Sequence, residues 1–291
     1  MAERKRILII GGSGFIGTHL AKDLSPHHDV VCTRRFSSTR VPGVEYVPFQ
    51  QLIEKDACKN LMQVTSPDFV IYAIGSNDIE AGERDPRTTN YLHTMGATHL
   101  QTASENFKAR FIYLSSDTVF SGHGGNYAEG DITIPGTALG KAKLAAENHI
   151  RGRSLNYLII RSTPLLGRGT LDHPSWLDRL RESGLLKKKF SVSERLIRNP
   201  MHVSFLSKLI LNAIELDLRN ETLHLGGRTK ISERALAEKI VAGLKLTPDN
   251  LETRELMGSG DPHDYSLNFS QSIELGRVPI LDLEANLKIL F

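Results

Sequence analysis

Three glycines in "GGSGFIG", Gly11, Gly14 and Gly17, follow the apolar run "RILII" and precede the helical stretch "THLAKDLS". That order suits a phosphate cradle. The first glycine permits a tight turn, the second lets the backbone approach a pyrophosphate, and the third lets helix pack on strand. The helix N-terminus then faces the phosphates with unpaired N–H groups and the positive end of its dipole. A second β-type run, "DVVCTRR", ends in "RRFSSTR". Where an NAD binder presents a carboxylate to the ribose 2′-hydroxyl, this chain presents Arg34 and Arg35. Guanidinium groups suit a 2′-phosphate, so the pattern favours NADP over NAD. The plainer alternative is that one or both arginines face solvent.

The elements that must position these groups alternate along the chain. Strands are expected at 6–12, 29–35, 44–49, 68–75, 110–116 and 156–162. Helices are expected after the glycine turn and over 52–64, 88–107 and 138–150. Such alternation predicts an α/β fold: a Rossmann-type, doubly wound parallel sheet with helices on both faces. Beyond 163 the pattern loosens. Helices are expected at 175–183, 204–217 and 232–244, strands at 189–193 and 222–227, and a tail of turns with one final short helix. The expected organisation is a dinucleotide-binding domain over 1–163, joined again by 203–227. A smaller α/β substrate lobe takes 164–202 and 228–291. The site is expected where the two meet, beyond the carboxyl ends of the strands.

With these motifs in hand, the chain resembles the extended short-chain dehydrogenase/reductase superfamily, and within it dTDP-4-dehydrorhamnose reductase and its relatives. The resemblance covers nearly the whole chain. It rests on "GGSGFIG", "IYAIG", "DPRTTNYLHTMGA", "SSDTVFSG", "YAEGD", "GKAKLAAE", "RSTPLLG" and "RNPMHV". It implies that Gly11, Gly14, Phe15, Ile16, Gly17, Ala73, Ile74, Gly75, Asn90, Lys143 and Thr163 contact a nicotinamide dinucleotide. It also implies a Ser–Tyr–Lys reaction centre with Ser116 as the hydroxyl and Lys143 as the lysine. In that family the tyrosine gives a proton to the carbonyl oxygen as hydride arrives, and the lysine lowers its pKa.

The tyrosine is expected four residues before the lysine, on the same helix face. That position is Leu139, which cannot donate a proton. General acid catalysis is worth about 10²–10⁴-fold, so the cofactor half of the site reads as intact and the proton half does not. Substitutes are available nearby. Asp117 can act as an acid if its pKa is strongly raised. His123 titrates near neutrality. Tyr127 belongs to the Tyr-x-Glu loop, and Ser116 with an ordered water is a further route. Arg161 and Arg198 read either as binders of substrate phosphates or as structural ion pairs. Trp176 and Phe190 read as core residues or as a stacking platform, and His202 and His224 as satisfied core or surface histidines.

Composition narrows the classes. A net charge of +3 is too small to argue for nucleic acid. Cys32 and Cys58 stand alone, without metal spacing or a redox pair, and no apolar run approaches a membrane span. The expectation is a soluble cytoplasmic protein with no metal and no membrane or nucleic-acid partner. The resemblance implies a pocket of the nucleotide-sugar type, and Leu139 implies ordinary reductase activity that is weak or absent. Two alternatives stand beside this: an active NADPH-dependent sugar reductase or epimerase with a displaced acid, and a non-catalytic regulatory subunit that binds a protein partner. The resemblance also implies a possible homodimer.

Overall fold

A computed structural model describes residues 3–255 and 263–291. Seven parallel strands form the central sheet: β1 (Arg6–Ile10), β2 (Asp29–Arg34), β3 (Glu45–Pro48), β4 (Phe69–Tyr72), β5 (Arg110–Ser116), β6 (Tyr157–Ser162) and, later in the chain, β11 (Glu221–Leu225). Their spatial order is β11-β6-β5-β4-β1-β2-β3. The direction of winding reverses between β1 and β4, and a crevice opens there beyond the strand ends.

β1 shows why these runs become strands. Its side chains alternate between two apolar layers, Ile7 and Ile9 into one and Leu8 and Ile10 into the other. All four are fully buried, as a parallel sheet covered on both faces requires. The first layer is closed by α1 (Phe15–Leu24) and α8 (Ser204–Glu215). The second is closed by α2 (Lys55–Thr65), α5 (Gly96–Asn106) and α6 (Ala138–Arg153). The doubly wound α/β class expected from the sequence is the one observed.

The single helix expected over 88–107 is instead three pieces. These are the short helix α4 (Pro86–Asn90), a π-helical turn, Tyr91–Met95, and α5, with a further short helix, α3 (Ile79–Arg84), before them. Asp85 caps α4, accepting from Thr88 N at 3.0 Å, with Pro86 in its first turn. A π turn holds more residues than an α turn, so the helical phase slips. His93 turns inward and is buried, while Met95 is 38% exposed.

The rest of the chain is built of short strands: β7 (Leu165–Leu166), β8 (Phe190–Val192), β9 (Leu196–Arg198), β10 (Met201–His202), β12 (Ile231–Ser232), β13 (Leu251–Thr253) and β14 (His263–Asp264). They pair as β10-β7, β12-β9-β14 and β13-β8. Helices α7 (Trp176–Leu185), α9 (Glu233–Gly243) and α11 (Leu283–Leu290) enclose a separate apolar cluster around Leu180, Ile240 and Leu287. The tail holds one helix more than expected, α10 (Ser270–Gly276), which ends where Arg277 takes a left-handed conformation, φ 49°. Part of the expected substrate lobe, 256–262, lies outside the described residues.

Candidate functional site

A cavity of about 1070 Å³ opens at the carboxyl ends of the strands, where the short-strand region faces the central sheet. The glycine turn forms one wall. Gly11 has φ +86°, and a Cβ there would come within 2.9 Å of Ile74 Cγ1, so only glycine fits. Its N–H donates to Thr33 Oγ1 at 2.9 Å, which ties the turn to the end of β2. Gly14 caps α1 without a side-chain hydrogen bond, and the first turn of α1 holds no acidic residue. The helix N-terminus is thus left to an anion. Phe15 and Ile16 line the cavity. Gly17 lies beneath the turn, where a Cβ would collide with the Gly11 carbonyl. Arg34 and Arg35 line the same wall, and Arg34 Nε is buried with no hydrogen-bond partner among the described residues. Arg35 lies over the Phe36 ring, 5.1 Å from its centroid.

Ala73, Ile74, Gly75, Ser116, Asp117 and Thr163 also line the cavity. Thr163 is fixed by donating Oγ1 to the Asn199 carbonyl at 2.7 Å. Asn90 does not join them. It ends α4, exposed and away from the lining. The side chain that the π turn brings inward is His93, whose Nε2 lies 3.1 Å from the Ser76 carbonyl. Burial, with the Lys143 ammonium adding to it, holds its pKa well below the ordinary range. His93 also explains Gly75, because a Cβ at 75 would strike the imidazole ring.

Lys143 sits in a separate small void bordered by Ile16, Ala73, Gly75 and Ser162. Its Nζ donates to the Leu114 carbonyl at 2.7 Å and lies 5.3 Å from the Tyr113 ring centroid. Burial lowers its pKa to about 7, against a partial opposing pull from Glu147. Leu139 is on the same helix, 1% exposed, and does not line the cavity. Its Cβ packs toward Gly82 of α3. The backbone at this point is pinned: Glu83 accepts from Ala138 N at 2.6 Å, and the Thr137 cap accepts from Gly140 N at 3.0 Å.

Of the groups named as substitutes, Asp117 is fully buried in the cavity wall and His123 is exposed on its loop, off the lining. Asp117 Oδ1 accepts from Ser116 Oγ at 2.9 Å. Arg198 Nε lies 3.2 Å from Asp117 Oδ2, but off the hydrogen-bonding direction, so both atoms keep their capacity. Burial raises the Asp117 carboxyl despite this cation. Tyr265, in a segment read from sequence as turns, lines the cavity beside this pair, its ring 5.5 Å from the Arg198 guanidinium carbon. Tyr127 faces its own loop, with its hydroxyl 3.0 Å from Ser121 Oγ.

Arg161 belongs to a structural network. It is 3% exposed and grips Glu147, with Nη2 2.8 Å from Oε2, while Ser115 Oγ donates to the same carboxylate at 2.5 Å. Burial pushes Glu147 up, but the Arg161 contacts hold it below the usual carboxylate range. His224, fully buried, is pushed down to about 4 by burial and Arg161. Trp176 and Phe190 pack edge to face at 5.8 Å, touching the apolar cluster and also lining the cavity. His202 Nδ1 meets Ser204 Oγ at 2.8 Å. Sequence patterns signalled neither Thr33, His93 nor Tyr265, because none falls in a spacing motif.

The strand order, the glycine turn at the switch point and the cavity between the sheet and the short-strand region define an extended short-chain dehydrogenase/reductase fold. Within that class the chain belongs to the family described as the RmlD substrate binding domain, matched over residues 5–259. Methionine adenosyltransferase 2 subunit beta from Mus musculus is 23% identical over 290 residues, covering 94% of this chain and 83% of that protein. The crystal structure of dTDP-4-dehydrorhamnose reductase from Bacillus anthracis in complex with NADP superposes with a TM-score of 0.82 at 20% identity, over 100% of this chain and 99% of the other. The dTDP-glucose 4,6-dehydratase DesIV from Streptomyces venezuelae, with NAD and TYD bound, gives 0.84 at 17% identity, over 97% and 94%.

Proposed function

We propose that this chain binds a nicotinamide dinucleotide, NADP in preference to NAD, and holds a nucleotide-sugar type ligand in the remaining cavity. The residues fit the dinucleotide. Gly11 and Gly14 leave the α1 N-terminus open for a pyrophosphate, and the buried, unpartnered Arg34 Nε with Arg35 suits a 2′-phosphate. When bound, such a cofactor supplies or accepts hydride. The chain's own residues orient the ligand and would have to manage the proton. Ordinary reductase turnover is weak or absent on this reading, and the observation that supports it is Leu139, with its Cβ toward Gly82 and off the cavity lining, at the position where the resemblance implies a phenol. Lys143 meanwhile spends its ammonium on the Leu114 carbonyl.

The test is to titrate the protein with NADPH and NADH by fluorescence, then follow NADPH oxidation with a dTDP-4-keto-6-deoxysugar. Tight NADPH binding with slow or no oxidation supports the reading; no binding of either cofactor refutes it. A second reading, a regulatory subunit serving a protein partner, is favoured by the mouse relative named as a subunit, alignable over 94% of the chain. Co-purification of a stoichiometric partner, with cofactor bound and not consumed, would select it. Asp117, buried beside Ser116 with its carboxyl raised, supports a third: slow turnover through a displaced acid.

A further inference from the structure

We propose that Tyr265, reaching the cavity from the C-terminal segment, is the proton donor for whatever carbonyl reduction this chain performs, with Arg198 positioned to stabilise the tyrosinate left behind. The proposal rests on the reading that a reduced nicotinamide binds in the same cavity. Tyr265 is 3% exposed, lines the cavity with Ser116, Asp117 and Arg198, and its hydroxyl has no hydrogen-bond partner among the described residues.

The placement of this phenol is enforced by its surroundings. Tyr265 N donates to the Ile197 carbonyl at 2.9 Å, and two residues on, Asn199 clamps Leu267 by donating to its carbonyl at 2.9 Å and accepting from its N–H at 3.1 Å. Gly122, at φ +82°, gives the ring room, since a Cβ there would lie 2.7 Å from Tyr265 Cζ. The His263 ring lies nearly parallel to it, at an interplanar angle of 10° with centroids 6.2 Å apart. The charged groups acting on the phenol are Arg198, which favours its ionised form, and Asp117, Tyr127 and Glu83, which oppose it. Burial keeps it protonated, so the proton is present to be given.

The step balances. The substrate's carbonyl carbon accepts a hydride, with its two electrons, from a reduced nicotinamide, which is oxidised. The C=O π pair moves to oxygen, and that oxygen takes the proton as the Tyr265 O–H bond breaks. Water entering the open cavity returns a proton to the tyrosinate. The division of labour differs from a tyrosine and lysine one helical turn apart, because here cation and phenol come from β9 and from the residue just after β14.

The experiment compares wild type with Tyr265→Phe, using NADPH and a dTDP-4-keto-6-deoxysugar. Slow oxidation above the protein-free blank, lost by roughly tenfold or more in Tyr265→Phe with NADPH affinity unchanged, is the expected result. A second readout needs no turnover. In tyrosinate absorbance titrations, the phenol missing from Tyr265→Phe should ionise at higher pH in Arg198→Gln than in wild type. NADPH binding without oxidation, a Tyr265→Phe rate equal to wild type, or an unmoved phenol titration each overturns the proposal and leaves the binding reading standing. Failure to bind NADPH overturns both.

Discussion

Lys143 offers a sharp test because its ammonium is buried without a carboxylate close enough to pair with it. Its nearest acceptor is the neutral Leu114 carbonyl at 2.7 Å, and burial takes its pKa from 10.5 to about 7. The folded value is depressed for a base, so between about pH 7 and about pH 10.5 the unfolded chain binds more protons than the folded one. Stability therefore rises with pH across that window, by about 1.4 kcal/mol per unit at most. From about pH 7 to about pH 9 this group alone contributes roughly 2 kcal/mol. Other groups titrate too, so the quantity to measure is the difference between wild type and Lys143→Met. Urea unfolding at the two pH values gives it. The variant should match or exceed wild type near neutrality, where the buried charge is costly. It should fall behind at the higher pH, where the neutral amine still donates its hydrogen bond. A difference that does not change with pH, or that changes in the opposite direction, would refute the claim that this lysine is desolvated.

Other outcomes follow from the same geometry. Replacing Arg34 and Arg35 by serine should weaken NADPH binding by roughly 1.5–3 kcal/mol per lost charged hydrogen bond while leaving NADH nearly unchanged, as read by fluorescence titration. Gly17→Ala should lower the melting temperature, with a loss of about 1–3 kcal/mol from overpacking against the Gly11 carbonyl, and should weaken both cofactors together. Glu147→Gln strands the buried Arg161 charge, so calorimetry should show a loss of about 3–5 kcal/mol.

The sheet and the glycine turn were legible because each depends on local pattern. The β-branched runs, the helix after "GGSGFIG" and the arginines at the end of β2 can each be read from a few neighbouring residues. What was not legible depends on phase or on distance. The π turn at Tyr91–Met95 shifts the helical face by an amount no apolar periodicity records, which is why His93 was missed. Thr33 reads as an ordinary strand residue until Gly11 N meets its hydroxyl. Tyr265 is more than 140 residues from Asp117 in sequence, and the two meet only because β14 pairs with β9. That position 139 holds a leucine was plain in the sequence; that its Cβ would lie toward Gly82 was not.

The account turns on a cavity that can take a dinucleotide and a helix that brings no phenol to it. NADPH oxidation with a dTDP-4-keto-6-deoxysugar, measured for wild type and for Leu139→Tyr, tests that pairing directly. Slow wild-type oxidation that stays slow in Leu139→Tyr, because position 139 packs toward Gly82 and off the cavity, is the predicted result. A wild type already turning over at about 1–10³ s⁻¹, unchanged by the new tyrosine, would contradict it.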